Sequence, residues 1–292
     1  MAAFTEAQQD FEQALALDPS FARAAEGILL SYLNEVYAGA VSDKVGWPRI
    51  QQLAARALQL DPHSTFAHSA LAWFHYSYDY DWSACNGEID AVLAAHAHDS
   101  TTLIYAAYVA GAIGRNEDGL GLIHEALVFD PLNPDPYQAL GGILSYECDY
   151  DGAERAYRKS LEISPLFAGS HLYIGTARLF RGRPKEALPE IQAEPSGTGR
   201  DAMLAAAYFA LGRRRDSDAS LARLLKSPAE DAPFWIAIAY ALRHENDSAF
   251  EWLDKAYASR ELTLSTGRND YFAPLHGDPR WKPFLRRMNI PE

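Results

Sequence analysis

The sequence is poor in cysteine, in long apolar runs and, over its first half, in positive charge. Cys85 and Cys148 are the only cysteines among 292 residues and fall in separate predicted helical units, so no disulfide framework is expected and a reducing compartment is favoured. The longest apolar stretches, such as residues 202–211, are well short of the roughly 20 residues of a membrane helix. The N-terminus lacks the basic and apolar regions of a signal peptide. We therefore expect a soluble, cytoplasmic protein with no membrane partner.

Positive charge is scarce in residues 1–150, which carry five Lys or Arg against twenty Asp or Glu, a net of −15. Residues 151–292 carry 21 against 19, a net of +2, so the total of −13 belongs to the first half. Nucleic-acid binding requires a basic footprint that neutralises phosphates. We therefore expect no direct nucleic-acid binding.

Motifs for catalysis are also missing. The chain has no P-loop, no G-x-S-x-G, no H-E-x-x-H and no dinucleotide-binding glycine pattern. His96, His98 and Asp99 lie together at a predicted helix end, but no cysteine or glutamate at a paired spacing accompanies them. His68 and His75 lie about two turns apart, beyond the spacing of a chelating pair. We predict a protein that is not an enzyme and binds no metal or cofactor.

What the sequence does contain is a repeated helical pattern, clearest in residues 135–165. The first half of this segment predicts a helix with a buried stripe at i, i+3, i+4 and i+7, formed by Tyr137, Leu140, Gly141 and Leu144. The second half predicts a helix in which every fourth residue faces the first helix, namely Ala153, Tyr157 and Leu161. Two helices of this length cannot bury both faces alone, so copies are expected on either side.

Similar helix pairs occur along most of the chain. Prolines end successive units, as at Pro131 and Pro165, which are 34 residues apart. Seven pairs are predicted, preceded in residues 1–19 by a lone helix that matches the second half of a pair. The sequence therefore predicts an all-α solenoid in residues 1–260 with a leading half repeat, and a loop with a C-terminal capping helix in residues 261–292.

Two segments depart from the regular unit, and both lie in the acidic half. Pro19 and Pro62 are 43 residues apart instead of about 34, which indicates roughly nine inserted residues and predicts a loop at 38–47. The turn of the next pair, at 76–82, is aromatic. Loops carry function more often than cores do, so both segments are candidate sites.

Segment 135–165 resembles the tetratricopeptide repeat (TPR) pattern W-x2-L-G-x2-Y…A-x3-F…P, with Tyr137 for Trp, Leu144 for Tyr and Tyr157 for Phe. The resemblance covers residues 4–257 and implies a right-handed α-α superhelix that binds ligands on its concave face. The phrase AFEWLDKAY…FAPLHGDPRWKPFLRRM is similar to TPR regions attached to bacterial adenylate-cyclase or winged-helix regulators. That likeness implies the regulatory part of a bacterial signalling protein.

In TPR proteins the first helix of each pair forms the concave face, and the helical period predicts its lining here. The predicted groove residues are Asn34, Trp73, Tyr76, Tyr108, Gln138, Tyr146, Leu172 and Phe180. None is basic, unlike the residues with which chaperone-binding TPR modules hold carboxylates. The leading hypothesis is a non-catalytic scaffold that binds a peptide or partner domain in an aromatic groove. Packing between repeats is an alternative role for these aromatic side chains.

Two further hypotheses remain open. A basic rim is predicted where equivalent turns of neighbouring pairs lie side by side, formed by Arg181, Arg183, Lys185, Arg213, Arg214 and Arg215. Such a rim suits an acidic surface, for example in self-association, although solvated turns commonly carry such charges. The alternative to peptide binding is a small-molecule or effector-sensing region formed by the loop 38–47 and the aromatic turn 76–82.

Overall fold

The computed structural model describes residues 2–37, 40–97, 99–228, 232–260 and 270–290, and within these ranges the chain forms helices and no β-strand. The α-helices are α1 (Ala2–Leu17), α2 (Ala22–Tyr37), α3 (Asp43–Leu60), α4 (Thr65–Phe74), α5 (Trp82–Ala95), α6 (Ser100–Ala112), α7 (Asn116–Phe129), α8 (Asp135–Tyr146), α9 (Tyr150–Ile163), α10 (Ser170–Phe180), α11 (Pro184–Ala193), α12 (Thr198–Ala210), α13 (Arg214–Leu224), α14 (Ala232–Leu242), α15 (Asn246–Ser259) and α16 (Trp281–Arg287). A π-helical turn, His75–Asp79, follows α4, and a 3₁₀ turn, Asp270–Leu275, precedes α16. Among these described helices, none has both the length and the apolar composition needed to cross a membrane.

The helices pack as seven successive pairs, from α2 with α3 to α14 with α15, and α1 packs on α2 ahead of the first pair. First helices of neighbouring pairs also contact each other, as α4 does with α6 and α12 with α14. The closing helix α16 buries Trp281 and Phe284 in the same core as α14 and α15. The predicted all-α solenoid of seven pairs, with a leading helix and a closing helix, is therefore confirmed.

The turn within most pairs contains one residue in the left-handed backbone region. Glycine occupies this position at Gly114, Gly182 and Gly212, with φ between 69° and 89°. Cys148 and His244 occupy it in two other pairs, with φ of 60° and 59°. A side chain in this region costs roughly 1–2 kcal/mol that glycine avoids. The α8–α9 and α14–α15 turns are therefore strained relative to the glycine turns.

Glycines inside the first helices allow the two helices of a pair to approach closely. A Cβ atom added to Gly141 in α8 would lie 2.3 Å from the ring of Tyr157 in α9. One added to Gly175 in α10, at the equivalent position of the next pair, would lie 2.4 Å from Ile191 in α11. A large buried residue of the second helix thus fills the space that a side chain on the first helix would need.

The predicted loop at 38–47 is wrong over its second half. Helix α3 begins at Asp43, and Trp47 is fully buried in a core cluster with Ile50. Pro48 cannot donate a backbone hydrogen bond inside this helix, and burial of the large Trp47 ring offsets that loss. The second half of the segment, from Asp43 onward, therefore belongs to α3, while residues 38 and 39 lie outside the described ranges.

Both cysteines are free thiols, as predicted. Cys85 is buried in α5 and donates its S–H to the carbonyl of Ala72 at 3.3 Å. Burial raises the pKa of this thiol to about 12, so it stays protonated and unreactive. Cys148 is exposed at the turn between α8 and α9.

The C-terminal segment returns to the aromatic turn of the second pair. The indole N–H of Trp82 donates a hydrogen bond to the carbonyl of Met288, 206 positions away, at 2.9 Å. The Asn289 amide donates to the carbonyl of Tyr80 at 3.3 Å. The Tyr80 ring is 2% exposed and stacks on Tyr257 of α15. The array therefore curves until its C-terminal end meets its second pair.

Candidate binding cavity

The curvature of the array encloses a cavity of about 170 Å³. Its walls come from α6, α8, α9, α10 and α14 and from the 3₁₀ turn that precedes α16. Six tyrosines contribute to the lining: Tyr108, Tyr146, Tyr150, Tyr157, Tyr173 and Tyr271. Most of the walls belong to first helices, so the cavity lies on the side of the solenoid that a TPR array turns inward.

Helical periodicity brings the lining residues of each helix to one side. In α8 they follow the spacing i, i+4, i+7 and i+8, as Gln138, Gly142, Ser145 and Tyr146. In α10 they follow i, i+3, i+4 and i+7, as Tyr173, Thr176, Ala177 and Phe180. Small residues between the aromatic ones leave the space that becomes the cavity.

Four of the eight predicted groove residues line the cavity, namely Tyr108, Gln138, Tyr146 and Phe180. Two more lie beside it. The ring of Trp73 meets the rings of Tyr108 and Tyr76 edge-on, at centroid distances of 6.0 and 6.5 Å. Tyr76 is also an electrostatic neighbour of Tyr146 and, after burial, helps to raise the pKa of the Tyr146 hydroxyl. An aromatic surface therefore continues from the cavity onto α4.

The other two predicted groove residues, Asn34 and Leu172, do not line the cavity. Leu172 is 7% exposed and packs against Gly199 of α12, while the next residue of α10, Tyr173, faces the cavity. Asn34 lies on α2 in the first pair, whereas the cavity begins at α6 in the third. In α10 the cavity is therefore lined by the predicted Phe180 and by Tyr173, the residue that follows the predicted Leu172.

Six aromatic lining residues are absent from the predicted groove: Tyr150, Tyr157, Tyr173, Phe234, Trp235 and Tyr271. The repeat consensus assigns Tyr157 to packing within its pair, where it does lie against Gly141. Its hydroxyl also reaches Ser145 Oγ at 3.3 Å. Tyr271 belongs to a segment outside the repeats, so no periodic pattern points to it.

The segment that follows the solenoid closes one wall of the cavity. The ring of Tyr271 packs edge-on against Phe180 and Trp235, at centroid distances of 5.4 and 6.1 Å. Its hydroxyl hydrogen-bonds with Thr176. The next residue, Phe272, is fully buried against Phe234. The C-terminal turn is therefore part of the cavity as well as part of the cap.

Burial keeps the cavity uncharged. Desolvation raises the pKa of five lining hydroxyls, those of Tyr108, Tyr146, Tyr157, Tyr173 and Tyr271. These tyrosines remain protonated at physiological pH. Within the part of the chain that the structure describes, no Asp, Glu, Lys or Arg lines the cavity. A charged ligand group would lose its hydration there without gaining a counter-ion.

Gln138 has a fixed orientation at the cavity wall. Its side-chain nitrogen donates hydrogen bonds to the Ala168 carbonyl at 2.8 Å and to Ser170 Oγ at 3.3 Å. Only the nitrogen of an amide side chain can donate, so the oxygen must point the other way. That oxygen faces the hydroxyl of Tyr108 at 3.5 Å, the long limit of a hydrogen bond.

The predicted basic rim is interspersed with carboxylates. Four of its six residues pair with acidic side chains, Arg181 with Asp151, Arg183 with Glu186, Arg213 with Asp216 and Arg214 with Glu245. The other two, Lys185 and Arg215, are exposed. Both signs of charge alternate on these turns, and self-association through the rim stays a prediction.

The second half of the aromatic turn 76–82, from Asp79 to Trp82, lines a wide, open cleft together with Asn289 of the C-terminal segment. Trp47, from the other half of the predicted sensing region, is buried in the core and does not line this cleft. Effector sensing by these two segments stays a prediction.

No family model and no curated protein matches the sequence. Among solved structures, the human IFIT1 dimer with PPP-AAAA aligns with 87% of this chain and 68% of its own, at 16% identity and a TM-score of 0.57. PilF of Pseudomonas aeruginosa aligns with 82% of this chain and 98% of its own, at 16% identity and a TM-score of 0.53. A tetratricopeptide repeat protein from Parabacteroides merdae gives the same coverage and identity with a TM-score of 0.55. At such identities the likeness establishes the fold alone, and this chain has the TPR fold.

Proposed function

We propose that the chain is a non-catalytic protein-interaction module that binds a peptide segment or partner domain on its concave face, with one side chain anchored in the tyrosine-lined cavity. The observation that carries the proposal is the cavity of about 170 Å³, enclosed by five helices and Tyr271. Deep aromatic pockets are where binding energy concentrates in protein interfaces. The aromatic surface of Trp73 and Tyr76 beside the cavity supplies contact area for the residues that flank the anchor.

The size of the cavity favours an anchored side chain. An engineered apolar cavity of about 150 Å³ holds one benzene molecule, whereas pockets for drug-sized ligands measure about 300–1,000 Å³. A volume of about 170 Å³ therefore accommodates one ring. A larger ligand has to leave most of its atoms outside, as an extended peptide does.

The solved structures with similar folds give two further possibilities. PilW is described as a type IV pilus biogenesis factor, and IFIT1 was solved with PPP-AAAA. An RNA 5′ end fits poorly here, because its phosphates would meet a lining without cationic side chains. A protein ligand fits the neutral aromatic lining better, and the likeness to TPR regions of bacterial regulators supports a role as the regulatory part of a signalling protein.

Effector sensing is the second candidate function, and the closure of the cavity by Tyr271 favours it. In this form of the proposal, a small ring compound occupies the cavity in place of a side chain. The aromatic turn 76–82 would then act through its contacts with the C-terminal segment, such as the hydrogen bond from Trp82 to Met288.

A cavity-filling variant tests whether the cavity is the binding site. Gly142 lines the cavity, and a Cβ atom added there has only Tyr108 within 4 Å, at 3.8 Å. Gly142→Leu should therefore fill the cavity without a clash at Cβ. The matched control is Gly121→Leu in α7, where an added Cβ has nothing within 4 Å.

The measurement is a selection from a random peptide library against the wild-type protein, followed by titration calorimetry of the selected peptides. Binding should weaken at least about tenfold in Gly142→Leu and stay unchanged in Gly121→Leu. Full affinity in Gly142→Leu, with crosslinks from the peptides to the outer helices, would refute the proposed site.

A further inference from the structure

We infer that the cavity selects one chemical class of occupant, a neutral aromatic ring that carries a hydrogen-bond donor, as in the side chain of tyrosine or tryptophan. The inference rests on the proposed function, because it names the group that the proposed anchor site accepts. It goes further in assigning a selecting residue, Gln138, and in excluding charged rings.

The ring preference follows from the walls. Aromatic rings pair best edge-to-face or offset-stacked, and the wall rings already meet each other in this way, as Tyr271 does with Phe180 and Trp235. A ring inserted among them can adopt the same geometry with several neighbours at once. Gly142 leaves a stretch of helix without a side chain, which provides room for the ring beside Tyr108.

The donor preference follows from Gln138. Both hydrogen bonds of its amide nitrogen hold the side chain so that Oε1 is directed away from Ala168 and Ser170. The contact of Oε1 with Tyr108 is long, at 3.5 Å, and a carbonyl oxygen has two lone pairs. A phenol O–H or an indole N–H in the cavity would therefore find a pre-oriented acceptor.

The exclusion of charge follows from the lining. A carboxylate or an ammonium placed in the cavity would leave water for a site whose nearest groups are aromatic rings, hydroxyls and one amide. Burial of an unpaired charge is far more costly than burial of a neutral polar group. The same desolvation raises the pKa of the wall tyrosines, so none of them supplies a charge at physiological pH.

Three ring compounds of similar size test this selectivity in the 292-residue chain. They are p-cresol, which has a neutral donor, toluene, which has none, and 4-methylbenzoate, which is charged. Affinities are measured by ligand-observed NMR. p-Cresol should bind about five- to tenfold more tightly than toluene, the worth of one neutral hydrogen bond. 4-Methylbenzoate should bind at least about a hundredfold more weakly than p-cresol.

Gln138→Leu should remove the preference for p-cresol and leave toluene affinity unchanged, so that toluene reports whether the cavity is intact. Gly142→Leu should abolish binding of all three compounds. Equal affinity for p-cresol and toluene in the wild type, or an undiminished preference in Gln138→Leu, would overturn the inference. If the compounds behave as expected but library peptides bind elsewhere, the peptide function fails and the cavity chemistry stands.

Discussion

Two adjacent glycines in α8, Gly141 and Gly142, should respond to alanine with opposite signs. Both lie in the interior of the helix Asp135–Tyr146. A Cβ atom at Gly141 would lie 2.3 Å from the ring of Tyr157, which is only 3% exposed. A Cβ atom at Gly142 would be 3.8 Å from Tyr108 and otherwise face the cavity.

The magnitudes follow from two competing terms. Replacing glycine by alanine in a helix interior stabilises the helix by about 1 kcal/mol. Nothing opposes this gain at Gly142, so Gly142→Ala should raise the free energy of unfolding by about 1 kcal/mol. At Gly141 the added methyl overpacks the interface with Tyr157, which costs roughly 1–3 kcal/mol. Because the contact is so short, the upper part of this range applies, and Gly141→Ala should lower the free energy of unfolding by about 1–2 kcal/mol.

Urea denaturation followed by far-UV circular dichroism measures both effects, provided that the slope with urea stays constant. Gly87→Ala in α5 is the control for helix propensity alone, because an added Cβ there has nothing within 4 Å. It should gain the same stability as Gly142→Ala. If Gly141→Ala were as stable as these two variants, the Tyr157 ring would not lie against α8, and the derived shape of the cavity would be wrong.

Trp82→Phe keeps an aromatic ring but loses the hydrogen bond to Met288. It should lower the free energy of unfolding by about 1 kcal/mol and speed hydrogen–deuterium exchange in α16, whereas unchanged exchange would contradict closure of the array. Cys148→Gly relieves a left-handed backbone at φ 60° and should add about 1 kcal/mol in urea denaturation, whereas no gain would argue against that strain. The hydrogen bond to Glu88 raises the pKa of His68 above its ordinary 6.5. The contribution of this pair to the free energy of unfolding is therefore complete below pH 6.5 and is lost as the pH rises through the raised pKa of His68. His68→Gln should lack this loss when unfolding is compared at about pH 6 and about pH 9; equal pH dependence of both proteins would refute the pairing.

The number and order of helices could be predicted because each unit carries its own signals. Gly114, Gly182 and Gly212 mark turns, and Pro131 and Pro165 mark unit ends, so the repeat length is readable without tertiary contacts. Each pair buries one stripe of side chains against its neighbour, and the periodic spacing of apolar residues in the sequence reflects that burial. Local pattern and global packing agree in this part of the molecule.

The insertion between α2 and α3 is harder to interpret because a spacing between prolines has no structural meaning by itself. The excess length was equally compatible with a loop and with a longer helix. Ser42 and Asp43 are typical of a helix start, and Trp47 and Ile50 are three residues apart, both fully buried. Those local signals favour the helix that the structure contains.

The lining of the cavity could be predicted only in part, because periodicity fixes a face to within one residue. In α10 the predicted positions Leu172 and Phe180 are eight residues apart, while the cavity takes Tyr173 and Phe180, seven apart. Both spacings are compatible with one helical face. Packing of Leu172 against Gly199 of the next pair decides between them, and that contact depends on the angle between pairs.

Tyr271 could not be predicted as a lining residue because its place depends on the curvature of the whole array. The C-terminal segment reaches the cavity only because the solenoid bends far enough for Met288 to meet Trp82 of the second pair. The same curvature brings Tyr108 of α6 and Trp235 of α14 to one cavity, although they lie four pairs apart. Closure of the array and formation of the cavity are therefore two results of one packing geometry. A ligand held between Tyr108 and Trp235 would contact both α6 and α14. Its binding would therefore stabilise the closed form of the array relative to any more open form.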